Sequence, residues 1–137
     1  MKGLEEIEGM LRQYSSFQEC VVTDFTWRHF GTTFDVTLDY RWRPDGTVRP
    51  DEGPLLLVTL SFARVQELRI RNALNASMLA NPERLSWGLN EISLLVIESS
   101  TAWPSPPDFF RASFWRENGA WIEITFADLT WTERVVS

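Results

Sequence analysis

Residues 109–126 read FFRASFWRENGAWIEITF, and this stretch decides the class of fold. Two segments rich in aromatic and β-branched residues, Phe109–Arg116 and Ala120–Phe126, flank the short connection Glu117-Asn118-Gly119. The dipeptide Asn-Gly favours the type I′ turn, whose twist matches that of two paired strands. The stretch therefore predicts an antiparallel β-hairpin near the end of the chain.

The same pattern recurs in the first third of the chain. In Phe34–Trp42, apolar and polar residues alternate strictly, as in a strand with one buried face. In Val21–Phe30, the apolar residues Val21, Phe25 and Trp27 are expected to share one face, and Gly31-Thr32 offers a turn between the two segments. We therefore predict a second antiparallel hairpin.

Four further segments complete the predicted sheet. They are Leu55–Phe62, Val65–Ile70, Ile92–Ile97 and Ala127–Val135. The step of three residues from Phe62 to Val65 breaks the period of two, which indicates a bulge or corner at Ala63-Arg64. Residues 72–81 are compatible either with a short helix or with a structured loop.

One clear helix precedes the strands. Leu4, Ile7, Leu11 and Tyr14 recur at spacings of three and four residues, which is typical of an amphipathic helix. With one helix and about seven or eight strands, we predict an α+β fold with a mostly antiparallel β-sheet. A length of 137 residues fits a single domain over 1–137.

Charge and composition exclude several functions. The net charge of −6 argues against nucleic-acid binding, which requires a basic surface, and favours a basic protein partner. No apolar run approaches the roughly 20 residues that span a bilayer, so no membrane association is expected. The single cysteine and the lack of an apolar leader at Met1–Glu6 indicate a cytoplasmic protein. The sequence does not indicate an oligomeric state.

No catalytic constellation is visible, and we expect no enzyme, no metal and no cofactor. The only histidine is His29, and nine residues of strand would separate it from Cys20 by on the order of 30 Å. Zinc sites need several His or Cys ligands, and no phosphate-binding loop or nucleophile elbow is present.

Two sets of residues are candidates for binding. The acidic residues Asp24, Asp35 and Asp39, on the polar faces of the first predicted hairpin, form one set, with the loop residues Asp51 and Glu52 as a second acidic site. The alternative to an acidic patch is an ordinary solvated sheet face that is partly neutralised by arginines, namely Arg28, Arg41 and Arg43.

The tryptophans offer another function, because seven are present. Trp27, Trp42 and Trp121 fit the apolar alternation and are predicted to lie in the core. Trp87 and Trp103 do not fit a strand pattern. If exposed, they would suit a small-ligand or carbohydrate-binding module, the alternative to a protein-binding one.

The series Phe62-x-x-Val65-x-x-Leu68-x-Ile70, the strand Ile92–Ile97 and the closing Asn-Gly hairpin resemble a known family. They are similar to small bacterial immunity proteins of polymorphic toxin systems, of the immunity protein 50 type. This resemblance implies a non-enzymatic protein that binds and neutralises a cognate toxin in the cytoplasm. It assigns no binding residues, because it lies in core positions.

Overall fold

The computed structural model describes residues 3–40, 42, 55–71, 80, 91–100, 109–116 and 119–136. Within these residues the chain forms one α-helix and eight β-strands, which confirms the predicted α+β class. The elements are α1 (Leu4–Gln13), β1 (Val21–Arg28), β2 (Thr33–Tyr40), β3 (Leu55–Ala63), β4 (Glu67–Ile70), β5 (Leu94–Ser100), β6 (Phe109–Arg116), β7 (Gly119–Phe126) and β8 (Asp128–Val136).

The strands form two antiparallel sheets of four strands each. The first sheet has the order β1-β2-β3-β8, and the second has the order β4-β7-β6-β5. The chain passes from one sheet to the other at two corners. Arg64, with a φ of 52° in the left-handed region, follows β3, and Ala127 separates β7 from β8. The Ala127 N–H donates to the Ala63 carbonyl at 3.1 Å, so the corners lie side by side.

The hairpin quoted above is observed as β6 and β7. Arg116 pairs with Gly119, whose φ of +134° favours glycine, and a bulge lies between Phe114 and Trp115. Asn118 lies outside the described residues, as do the loop 44–54 and the segment 72–79.

One hydrophobic cluster joins the inner faces of the two sheets. Phe62 of the first sheet packs edge-on against Phe126 and Phe114 of the second, with ring centroids 4.9 and 6.1 Å apart. All three side chains are fully buried. Large rings on facing strands thus fill the space between the sheets, as the apolar alternation requires.

Helix α1 packs along this core. Its buried face carries Ile7, Met10 and Leu11, and it contacts β5 of the second sheet. Tyr14, at the end of the helix, donates a hydrogen bond to Glu133 of β8 and meets Tyr40 of β2 edge-on at 5.3 Å. The helix therefore has contacts with both sheets.

Candidate functional site

The outer face of the first sheet brings three of the predicted acidic residues together. In the register of β1 and β2, Asp24 lies opposite Thr37, and Asp35 and Asp39 lie two residues to either side of Thr37. Side chains two residues apart share a face of a strand. The three aspartates therefore lie on one face, as predicted. Asp51 and Glu52 lie outside the described residues.

An arginine neutralises one of these carboxylates. The Arg28 Nε lies 2.5 Å from Asp35 Oδ2, and Arg28 Nη2 lies 3.1 Å from Asp35 Oδ1. The hydrogen bond to Asp35 raises the pKa of Arg28 above its ordinary value. The Asp24 side chain, by contrast, is exposed, and among the described residues its carboxylate has no ion pair or hydrogen bond. Exposed negative charge on this face is thus concentrated toward Asp24.

The other side of β1 carries two half-exposed aromatic residues. Phe25 and Trp27 keep 40% and 45% of their surface exposed, although both point to the side of the sheet that carries the buried Phe34. The Phe34 ring is 5.8 Å from Phe25 and 4.9 Å from Trp27. We call Phe25 and Trp27 the β1 aromatic pair.

The predicted core position of Trp27 is therefore wrong, whereas that of Trp121 is confirmed and Trp42 is partly buried against the core. β1 lies at the edge of its sheet, where the second sheet covers its inner face incompletely. A bulge between Val22 and Asp24 also puts Val22, rather than Val21, on the side of the aromatic pair.

Two buried residues of the second sheet, Trp121 and Arg116, lie next to the β1 aromatic pair. Phe25 meets Trp121 edge-on at 6.4 Å, and the guanidinium carbon of Arg116 lies 3.9 Å from the centre of the Trp121 ring. Burial lowers the pKa of Arg116 to about 10. The packed rings hold Phe25 in one place, which reduces the entropy that a binding partner would have to remove.

The turn after β1 displays a third aromatic side chain. His29, Phe30 and Gly31 all have φ in the left-handed region, at 50°, 57° and 85°. The Phe30 side chain is fully exposed. A non-glycine residue in this conformation is held at a cost, and such strain concentrates at functional segments.

Other predicted features are not brought together. Cys20 is buried before β1, whereas His29 is exposed after it, so the two lie at opposite ends of that strand. The described ranges contain no group of three His, Cys, Asp or Glu side chains able to hold a metal ion. Trp87 and Trp103, on which a carbohydrate site would depend, are not among the residues that the structure describes.

No protein-family model, curated protein or solved structure matches this chain. Function must therefore be inferred from the side chains themselves. In the part of the chain that the structure describes, no helix has the length and apolar character to cross a membrane.

The aromatic pair was the part of the site that sequence reasoning missed. Its alternation is the same as that of β2, whose apolar side chains Phe34, Val36 and Leu38 are buried. The one sequence signal at this end of the molecule is Phe30, an aromatic residue directly before the turn residues Gly31-Thr32. Aromatic residues in such turns are good candidates for exposed anchors.

Proposed function

We propose that the protein is a non-enzymatic binding module that recognises a basic protein partner through β1. The observation that carries this proposal is the half-exposed aromatic pair, Phe25 and Trp27, on one face of β1, with the exposed Asp24 carboxylate, which has no ion pair among the described residues, on the other face. With the net charge of −6, this combination suits a cationic surface. The resemblance noted above implies a toxin domain as that partner and the cytoplasm as the place of binding.

The two kinds of side chain serve different steps of binding. Exposed carboxylates raise the rate of encounter with a cationic protein, whereas affinity comes mainly from buried aromatic or arginine anchors. Asp24 and the aromatic pair lie on opposite faces of β1, so one lysine or arginine of the partner would be attracted to Asp24 and a second to the face of Trp27. A basic partner that contacts both sides of this edge strand thus satisfies both features of β1.

The exposed area of the aromatic pair sets the scale of the affinity. A Trp side chain offers on the order of 250 Å², so the exposed 45% of Trp27 amounts to roughly 110 Å². At ~25 cal/mol per Å², burying it would contribute about 3 kcal/mol, or roughly 100-fold in affinity. Phe25 would contribute somewhat less, since it is smaller and 40% exposed.

The electrostatic part of the proposal is tested by association kinetics. The partner for this test is the toxin domain that the resemblance predicts to be encoded beside the gene, co-expressed with this protein and then separated from it for the measurement. The double variant Asp24→Asn/Asp39→Asn should slow association at low salt, and the difference should vanish at high salt as charges are screened beyond about 10 Å at 0.1 M.

A matched control separates local charge from net charge. Glu8→Gln/Glu98→Gln removes the same two charges from exposed positions on α1 and β5. It should slow association less than the β1 variant does. Equal rates for wild type and the β1 variant at low salt would contradict the acidic contribution. If Phe25 and Trp27 were also dispensable, the proposed function itself would fail.

A further inference from the structure

Among the residues that the structure describes, the outer edge of β1 has a partner only at its start. At its start, Val21 forms an antiparallel bridge with Glu91, and the Ile92 N–H donates to the Cys20 carbonyl at 3.0 Å. Among the described residues, none pairs with this edge from Thr23 to Arg28, and that whole stretch is exposed. Within the described part of the chain, the backbone donors and acceptors of this edge from Thr23 to Arg28 thus have no strand partner.

This edge lacks two of the features that keep edge strands from pairing, lysine and proline. Proteins commonly protect such strands with lysine, proline or a bulge. β1 has a bulge between Val22 and Asp24, but the five residues that follow, Asp24–Arg28, include neither lysine nor proline. Three of them, Phe25, Thr26 and Trp27, belong to types that favour strands. The five-residue segment is suited to forming another ladder.

The segment is complementary to itself. When two copies pair antiparallel about a two-fold axis at Thr26, Asp24 of each copy lies opposite Arg28 of the other. Phe25 of each then lies opposite Trp27 of the other. Opposite charges and aromatic pairs are favourable cross-strand neighbours. A two-fold axis at Phe25 or at Trp27 would leave both charged residues without an opposite charge across the ladder.

We propose that two copies of the chain associate through β1, pairing antiparallel about Thr26 so that their first sheets form one eight-stranded sheet. A two-fold axis perpendicular to the sheet keeps each face continuous. The exposed rings of Phe25 and Trp27 then cover one another, and Arg28 lies between Asp35 of its own chain and Asp24 of the second copy. The bridge between Val21 and Glu91 occupies the start of the edge and limits the new ladder to Asp24–Arg28.

The dimer needs no other partner, so it does not rest on the proposed function. It does use the same aromatic pair. Self-association and binding of a basic protein would therefore exclude one another, and the monomer would be the form that binds.

The mass in solution tests the dimer. Sedimentation equilibrium between ~10 µM and ~1 mM covers the range of a small interface. The average mass of the wild-type protein should rise from 15.9 kDa toward twice that value.

Charge reversal tests the pairing of Asp24 with Arg28. Asp24→Arg alone and Arg28→Asp alone should remain monomeric, because each places like charges opposite one another. An equimolar mixture of the two variants should dimerise again, since the arginine introduced in one then lies opposite the aspartate introduced in the other. Circular dichroism verifies that each variant is folded.

A cross-link tests the register separately. Residues directly opposite in an antiparallel ladder have Cβ atoms about 4.5–5.5 Å apart, close to the range that a disulfide bridges. Thr26→Cys should therefore form an oxidised dimer readily, whereas Thr23→Cys, exposed on the same strand but away from the axis, should not.

A wild-type protein that stays at 15.9 kDa throughout would overturn the inference. So would a dimer that is unaffected by Asp24→Arg, or a mixture of the two charge variants that stays monomeric. Equal cross-linking of the two cysteine variants would overturn the register about Thr26.

Discussion

Replacing Ile7 by alanine tests whether helix α1 is part of the core or only attached to it. Ile7 is fully buried in the cluster that joins the two sheets. The neighbouring Glu8, on the same helix, is exposed and provides the matched control. Both substitutions introduce alanine, the best helix former, so neither should weaken the helix itself.

The expected cost follows from burial. Removing a buried isoleucine side chain to alanine costs roughly 2–5 kcal/mol, because apolar contacts are lost and a cavity remains. For a chain of 137 residues, a loss of about 3 kcal/mol corresponds to a decrease in Tm of roughly 10 °C. Glu8→Ala should change the free energy of unfolding by less than about 0.5 kcal/mol.

Urea unfolding followed by circular dichroism, together with thermal unfolding, measures the change in free energy of unfolding and in Tm for both variants.

Deleting the helix is a stronger test of the same packing. Four residues in or directly after α1 are buried: Ile7, Met10, Leu11 and Tyr14. At about 1.5–3 kcal/mol each, they contribute an amount comparable to the whole stability of an ordinary domain. Deleting residues 1–14 should therefore abolish cooperative unfolding. If Ile7→Ala were as stable as Glu8→Ala, or the truncated chain unfolded like the intact one, the packing described for α1 would be wrong.

Three further predictions concern single residues. Burial and the hydrogen bond to Glu133 raise the pKa of the Tyr14 phenol above its ordinary value of 10.0. The stability from this shift is present below pH 10 and is lost as the pH rises through the higher folded-state pKa. Alkaline unfolding curves should thus show a smaller pH dependence in Tyr14→Phe, and an unchanged one would contradict the shift. Phe30→Gly should raise the free energy of unfolding by up to about 1 kcal/mol, because glycine adopts the left-handed conformation without strain, and a decrease in Tm would contradict that strain. His29→Ala should leave the proposed neutralisation of the partner intact in co-expression, whereas its loss in a folded variant that still binds the partner would indicate catalysis.

Local patterns were sufficient to predict most of the strands. β6 has the predicted bounds, Phe109–Arg116, because strong alternation ends at turn residues. The corner at Ala63-Arg64 was also predicted, from a break in the period of two. What the pattern did not contain was the division into two sheets. That division depends on which distant strands pair, for example β3 with β8, and alternation within one strand carries no information about its partner.

Only part of the candidate site was predicted, because strand periodicity does not show how far each face is covered. The common face of Asp24, Asp35 and Asp39 follows from strand periodicity, and so does the proximity of Arg28. The exposure of Trp27 does not. Periodicity determines which side chains share a face, whereas coverage of that face depends on the position of the strand in the sheet.

The central claim is that β1 binds a basic protein partner through its aromatic pair. The most direct test is the dissociation constant of the proposed toxin-domain partner for Phe25→Ala/Trp27→Ala, measured by calorimetry against Val96→Ala/Trp115→Ala. The control removes apolar side chains of similar exposure from the second sheet. The β1 variant should bind at least ~100-fold more weakly than wild type, and the control should bind within about threefold of it. Equal affinities for the two double variants would contradict the claim.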